Sequence, residues 1–209
     1  MKRYLLISSV ITSMYCSAQK AFQPENSILT ETADGDLDGD HVPEKVNVYT
    51  IKAEGESGEV REIQILKKIN QQWTILEKST NAILDSDSGG MMGDPFSGIS
   101  IEKGILIISH FGGSSWKWAF TDKYRYQNGH FELIGYTGSS GRPGDYMKYI
   151  DFNLSTGQLN FRNDVDDTRQ YGPSQKETYI KKGVKINLQN RGNQRIKIVL
   201  PKTREEISI

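Results

Sequence analysis

The stretch Asp36-Leu37-Asp38-Gly39-Asp40-His41-Val42-Pro43-Glu44 puts carboxylates at its first, third, fifth and ninth positions. The seventh residue, Val42, has no polar side chain but can offer its backbone carbonyl. Four acids so close together repel one another unless a positive charge sits among them. Hard cations suit this pattern, because calcium takes about six to eight oxygens from a tight turn. The spacing predicts a Ca2+ site with Asp36, Asp38, Asp40 and Glu44 as side-chain ligands and Val42 as carbonyl donor. The competing reading is a merely solvated acidic turn. An EF-hand fits less well, since its twelfth position is Asn47 and no helical period flanks the turn.

Other chemistry is sparse. The three histidines, His41, His110 and His130, have no zinc-binding spacing such as HExxH. His110 precedes Phe111-Gly112-Gly113-Ser114-Ser115, a base near two hydroxyls, but without the GxSxG elbow of a hydrolase. Phosphate loops and dinucleotide fingerprints are absent from the sequence. Paired carboxylates within Asp85 to Asp94, or at Asp164, Asp166 and Asp167, are the alternative: a carboxylate-dependent, glycan-active enzyme. Both stretches read first as polar turns, so the expectation is a protein that is not an enzyme, with no catalytic residue assigned.

The elements that hold these residues alternate with period two. After a lead-in over residues 19–33 with little periodicity, a strand is expected at 45–51, then a hairpin of 61–67 with 72–77. Strands 97–102 and 105–110 flank Lys103-Gly104, and Asn128-Gly129 separates an aromatic run, Trp116 to Tyr126, from His130 to Tyr136. That aromatic row reads as core or cross-strand packing before it reads as a carbohydrate platform. Strands at 146–154, 158–162, 183–188, 195–200 and 206–209 follow, with long loops at 85–96, 137–145 and 163–176. Short strands at this spacing, with almost no helical period, predict an all-β domain of antiparallel hairpins closing into an irregular β-propeller-like or barrel-like shape.

Residues 1–18 carry a basic start, a short apolar run and small residues before Gln19, the pattern of a secretory signal peptide cut after Ala18. Residues 19–209 are then one exported domain, periplasmic or extracellular, and long enough to bury its own core. Cys16 is the sole cysteine and falls in the removed segment; acylation there is disfavoured by Tyr15. No stretch is apolar and long enough to span a bilayer. Lys plus Arg balance Asp plus Glu at 26 each, which argues against a nucleic-acid binder. Residues 31–44 are acidic and residues 181–204 basic, a split ascribed mainly to charges that keep strand edges from pairing.

The run from Gly35-Asp36 to Glu44, followed directly by Lys45-Val46-Asn47-Val48-Tyr49-Thr50-Ile51, resembles the aspartate-rich calcium loops of integrin-type (FG-GAP-like) β-hairpin repeats. His41 stands where that family usually has the turn glycine, and Glu44 where it usually has Asp. Gly93-Asp94-Pro95-Phe96 and Phe111 to Trp118 look like a stretch of secreted bacterial proteins that carry the same loop. Loosely, such exported proteins are similar to periplasmic lysozyme inhibitors and immunity proteins. The Ser-Gly-x-x-Tyr motif of several such inhibitors is absent: Ser140-Gly141-Arg142-Pro143-Gly144 lacks the tyrosine. The resemblance implies a calcium-binding interaction module, with a protein or cell-wall polymer as partner and inhibition of peptidoglycan hydrolases as its sharper form.

Overall fold

The computed structural model describes residues 22–52, 58–193 and 196–209. The signal segment 1–18, its cleavage point and Cys16 lie outside the described residues.

Two antiparallel meanders make the body of the protein. Sheet A runs β1 (Ser27–Gly35), β2 (Glu44–Ile51), β3 (Val60–Ile69) and β4 (Gln72–Ser79), in spatial order identical to chain order. Sheet B continues through β5 (Phe96–Glu102), β6 (Ile105–Gly113), β7 (Lys117–Gln127), β8 (His130–Arg142), β9 (Tyr146–Asn153), β10 (Gln158–Val165) and β11 (Gln175–Ile180), again without a crossover. A last hairpin, β12 (Lys197–Val199) with β13 (Glu206–Ser208), ends the chain. Between the strands lie a 3-10 turn, Gly90–Met92, and one turn of helix, α1 (Thr168–Tyr171), capped by Asp167.

The hairpins form where two-residue turns match the twist of the strands. Asn70-Gln71, Lys103-Gly104 and Asn128-Gly129 all hold positive φ at both positions, the geometry that two-residue hairpin loops favour.

The all-β antiparallel class holds, and four local readings are corrected. Residues 27–33, expected as part of an aperiodic lead-in, belong to β1: its outward residues are exposed, so burial imposes no alternation on it. The expected loop 137–145 is strand as far as Arg142, because Thr137 to Gly141 pair with β7 on one side and β9 on the other. The expected loop 163–176 contains the end of β10, α1 and the start of β11. Residues 183–188 make one bridge, Glu132 with Asn187, and two hydrogen bonds to the start of β8 rather than a full strand.

The sheets meet at both sides of sheet A. The Ile99 N–H donates to Glu31 Oε1 at 3.2 Å, which ties β5 to β1. The Ser79 hydroxyl donates to the Leu188 carbonyl at 2.6 Å, and the Phe131 N–H to Glu77 Oε2 at 2.8 Å, which ties β4 to the start of β8. No backbone ladder among the described residues joins sheet A to sheet B. Val46, Val48, Ile63, Ile65, Leu106, Ile108, Tyr124 and Phe131 form a continuous core between them, all essentially without solvent contact. The terminal hairpin extends that core through Ile198, Leu200 and Ile207.

Candidate metal centre

The acidic stretch is the connection of the β1/β2 hairpin, closed by the Gly35/Glu44 pair. Leu37 is 3% exposed and belongs to the core, so one apolar side chain anchors the turn while its neighbours stay polar. Each aspartate binds backbone donors ahead of it. Asp36 accepts from Gly39 N at 2.7 Å and His41 N at 3.0 Å, Asp38 from Asp40 N at 3.2 Å, and Asp40 from Val42 N at 2.8 Å. Such side-chain-to-backbone bonds fold the chain onto its own carboxylates. Gly39 (φ 84°) and His41 (φ 66°) both take left-handed angles, so His41 adopts a backbone that glycine takes more readily.

The outcome is convergence: one carboxylate oxygen from each of Asp36, Asp38 and Asp40 lies within 4.8 Å of the others. Val42 lies in the same turn with its side chain exposed. Glu44 opens β2 on the face shared with Val46 and Val48, which explains why its side chain is fully buried. Its Oε2 accepts from Leu37 N at 2.8 Å and its Oε1 has no hydrogen-bond partner, but Glu44 is not among the carboxylates that converge within 4.8 Å. Burial pushes the Glu44 carboxyl above the usual range, and the nearby Asp38 and Asp40 charges add to that. Three convergent aspartates, together with a buried carboxylate that has one oxygen without a donor and lies close enough to feel the Asp38 and Asp40 charges, are oxygen groups of the kind a hard divalent cation takes.

One positive group already reaches the turn. The Lys67 ammonium bonds Asp38 Oδ2 and lies 2.7 Å from Asp40 Oδ2. This contact with Lys67, followed by the Val42 N–H, lowers the Asp40 carboxyl, and the two aspartates together raise the Lys67 ammonium. Lys67 escaped the reading of the sequence, although its spacing from Ile63 and Ile65 puts it on the core face of β3.

A second charged cluster lies under sheet B. Asp122 is fully buried and accepts from Arg191 Nε at 2.7 Å, while the guanidinium lies over Phe120 and Tyr136. His110, 2% exposed, stacks on Phe120 at 4.5 Å, and its Nε2 accepts from Leu84 N at 3.2 Å. Burial, then the Arg191 and Arg61 charges, push its pKa down to about 4. Ser114 and Ser115 lie past the end of β6, four and five residues on, roughly 13 Å or more along an extended chain. His110 and these hydroxyls are therefore not brought together.

The acids weighed for glycan chemistry have other contacts. Asp94 pairs with Arg61 and accepts from Phe96 N, Asp87 lies against Gly58, Asp164 pairs with Arg162, and Asp167 caps α1. The first group borders β6 through the Gly113 N to Gly89 O bond, and the second spans the end of β10, at Asp164, and the residues just after it. Four strand positions separate them in sheet B, ~19 Å measured across the sheet.

The GDPF and FGGSSWKW stretches come together. Phe111 N donates to Pro95 O at 2.9 Å and Gly113 N to Gly89 O at 2.8 Å, which lays the 89–95 turn along the end of β6. Met91, Met92, Phe111 and Trp116 are exposed there. Compared with protein-family models, with curated proteins and with solved structures, the chain matches none.

Proposed function

We propose that this protein is a calcium-stabilised all-β binding module acting outside the cytoplasm, with the turn from Asp36 to Glu44 as its ion site. The observation that carries the reading is the pairing of three convergent aspartates with a buried glutamate whose Oε1 lacks a donor. In this reading Asp36, Asp38, Asp40 and Glu44 supply side-chain oxygens, Val42 a carbonyl, and the ion offsets their mutual repulsion. Export belongs to the same proposal, because calcium is abundant outside the cytoplasm and a modest site is filled there.

In this proposal the strands close in a barrel-like form. It is supported by the side-chain ties of β1 to β5 and of β4 to the start of β8, on either side of one core. The partner is a protein or cell-wall polymer, met by loops such as 85–96; the exposed Met91, Met92, Phe111 and Trp116 support that placement. Inhibition of a peptidoglycan hydrolase is its sharpest form, and it fails if micromolar protein slows no lysozyme.

Native mass spectrometry of chelator-treated protein returned to millimolar CaCl2 tests the ion site. One bound calcium is expected, lost in the Asp36→Asn/Asp38→Asn variant. A wild-type protein that stays metal-free in millimolar calcium would overturn the reading.

A further inference from the structure

We propose that the Lys67 ammonium is the resident cation of the metal-free turn, and that a divalent ion binds by exchange, displacing Lys67 from Asp38 and Asp40. The inference rests on the calcium reading of the same turn and adds how the site is regulated. Its basis is geometric. Lys67 lies on β3 one residue beyond the Lys45/Leu66 pair, which sets it across from Glu44 at the open end of sheet A. From there its side chain, 21% exposed, reaches Asp38 Oδ2 and Asp40 Oδ2 together.

Those oxygens belong to two of the residues that a calcium ion would need. Calcium–oxygen contacts are about 2.3–2.6 Å, so an ion among these carboxylates takes the space that the ammonium fills. Two positive groups sharing one pair of oxygens repel strongly, so the ammonium gives way when the ion enters. The four-carbon stem of lysine lets the ammonium swing into water while its backbone stays in the ladder.

Two consequences follow. Without metal, the turn keeps a counter-charge and remains folded, so calcium adds stability to an existing structure. With metal, each binding event must break the Lys67 contacts, which lowers affinity into the range where only a calcium-rich surrounding fills the site. Occupancy also frees a positive side chain beside the turn, so the surface charge there depends on calcium.

Calcium titrations of wild type, Lys67→Met and Lys67→Arg by calorimetry test this. Lys67→Met should bind at least about tenfold more tightly, equivalent to about 1.4 kcal/mol, and Lys67→Arg should stay within about threefold of wild type. Lys67→Met should also melt lower than wild type in chelator and match it in calcium. In wild type, acetylation of Lys67 followed by mass spectrometry should speed up when CaCl2 is added, a readout that needs no variant to fold. Calcium binding by wild type with no tightening in Lys67→Met, or with unchanged Lys67 acetylation, would overturn the exchange and leave the ion site standing. Absence of calcium binding in both wild type and Lys67→Met would overturn both.

Discussion

His110 sits in an environment that conflicts with its charged form. It is packed on Phe120, holds the Leu84 N–H on Nε2, and faces the positive charges of Arg61 and Arg191, with Asp94 the nearest opposing acid. Its pKa of about 4 lies below the ordinary value of 6.5, so the unfolded chain takes up a proton first as pH falls. The stabilisation from a neutral His110 is therefore complete above about pH 6.5 and is lost on going down to about pH 4, at a cost on the order of 3 kcal/mol. Urea unfolding between pH 4 and 8 should show this slope in wild type and a shallower one in His110→Gln, which cannot titrate. Identical slopes would show that His110 is not the group responsible. Arg191 behaves differently, because it compensates a buried charge. Arg191→Met leaves Asp122 without its partner and should cost about 3–5 kcal/mol, measured by chemical denaturation. Replacing both, as Asp122→Leu/Arg191→Met, should recover a large part of that loss, since no charge is then stranded.

Among the elements, the hairpins were legible because each carries two local signals at once, alternation and a turn dipeptide that tolerates positive φ. β5/β6 and β7/β8 are the clearest cases, through Lys103-Gly104 and Asn128-Gly129. β1 was not legible, because an edge strand with exposed outward residues needs no apolar period. The far half of β8 was not either: Gly138, Ser139, Ser140 and Gly141 suggest a loop, yet tertiary packing selects small residues there. A Cβ on Gly138 would come within 2.7 Å of the Tyr136 hydroxyl. Similar crowding fixes the turn inside FGGSSWKW, between β6 and β7. Gly113 holds φ 117°, and a Cβ there would sit 2.0 Å from the Trp116 carbonyl. Gly113→Ala should therefore cost at least about 2 kcal/mol in urea unfolding, by strain plus collision. A loss below ~0.5 kcal/mol would mean that the β6/β7 connection is far more plastic than its contacts imply.

For the whole molecule, the acidic turn showed in the sequence as spacing, and the structure adds what spacing cannot hold. Period two predicts that Glu44 shares a face with Val46 and Val48, but its complete burial depends on how the sheets pack. Lys67 arrives from β3, across a neighbouring strand pair, so no local pattern around residues 36–44 could announce it. The Asp122–Arg191 pair likewise joins residues 69 positions apart. The proposed ion site would thus be assembled at the end of a sheet whose core excludes water from Glu44 and leaves the aspartates nearer the surface. Binding there should stabilise the entire fold, because β2 and β3 are central strands of sheet A.

Calorimetric melting in calcium and in chelator is the most direct measurement of that claim. At about a hundred times the dissociation constant, a single site adds about 2.7 kcal/mol, or an upward shift of roughly 5–10 °C for a chain of this size. That shift is expected in wild type and should be lost in Asp36→Asn/Asp38→Asn. Superimposable transitions for wild type with and without millimolar calcium would contradict it.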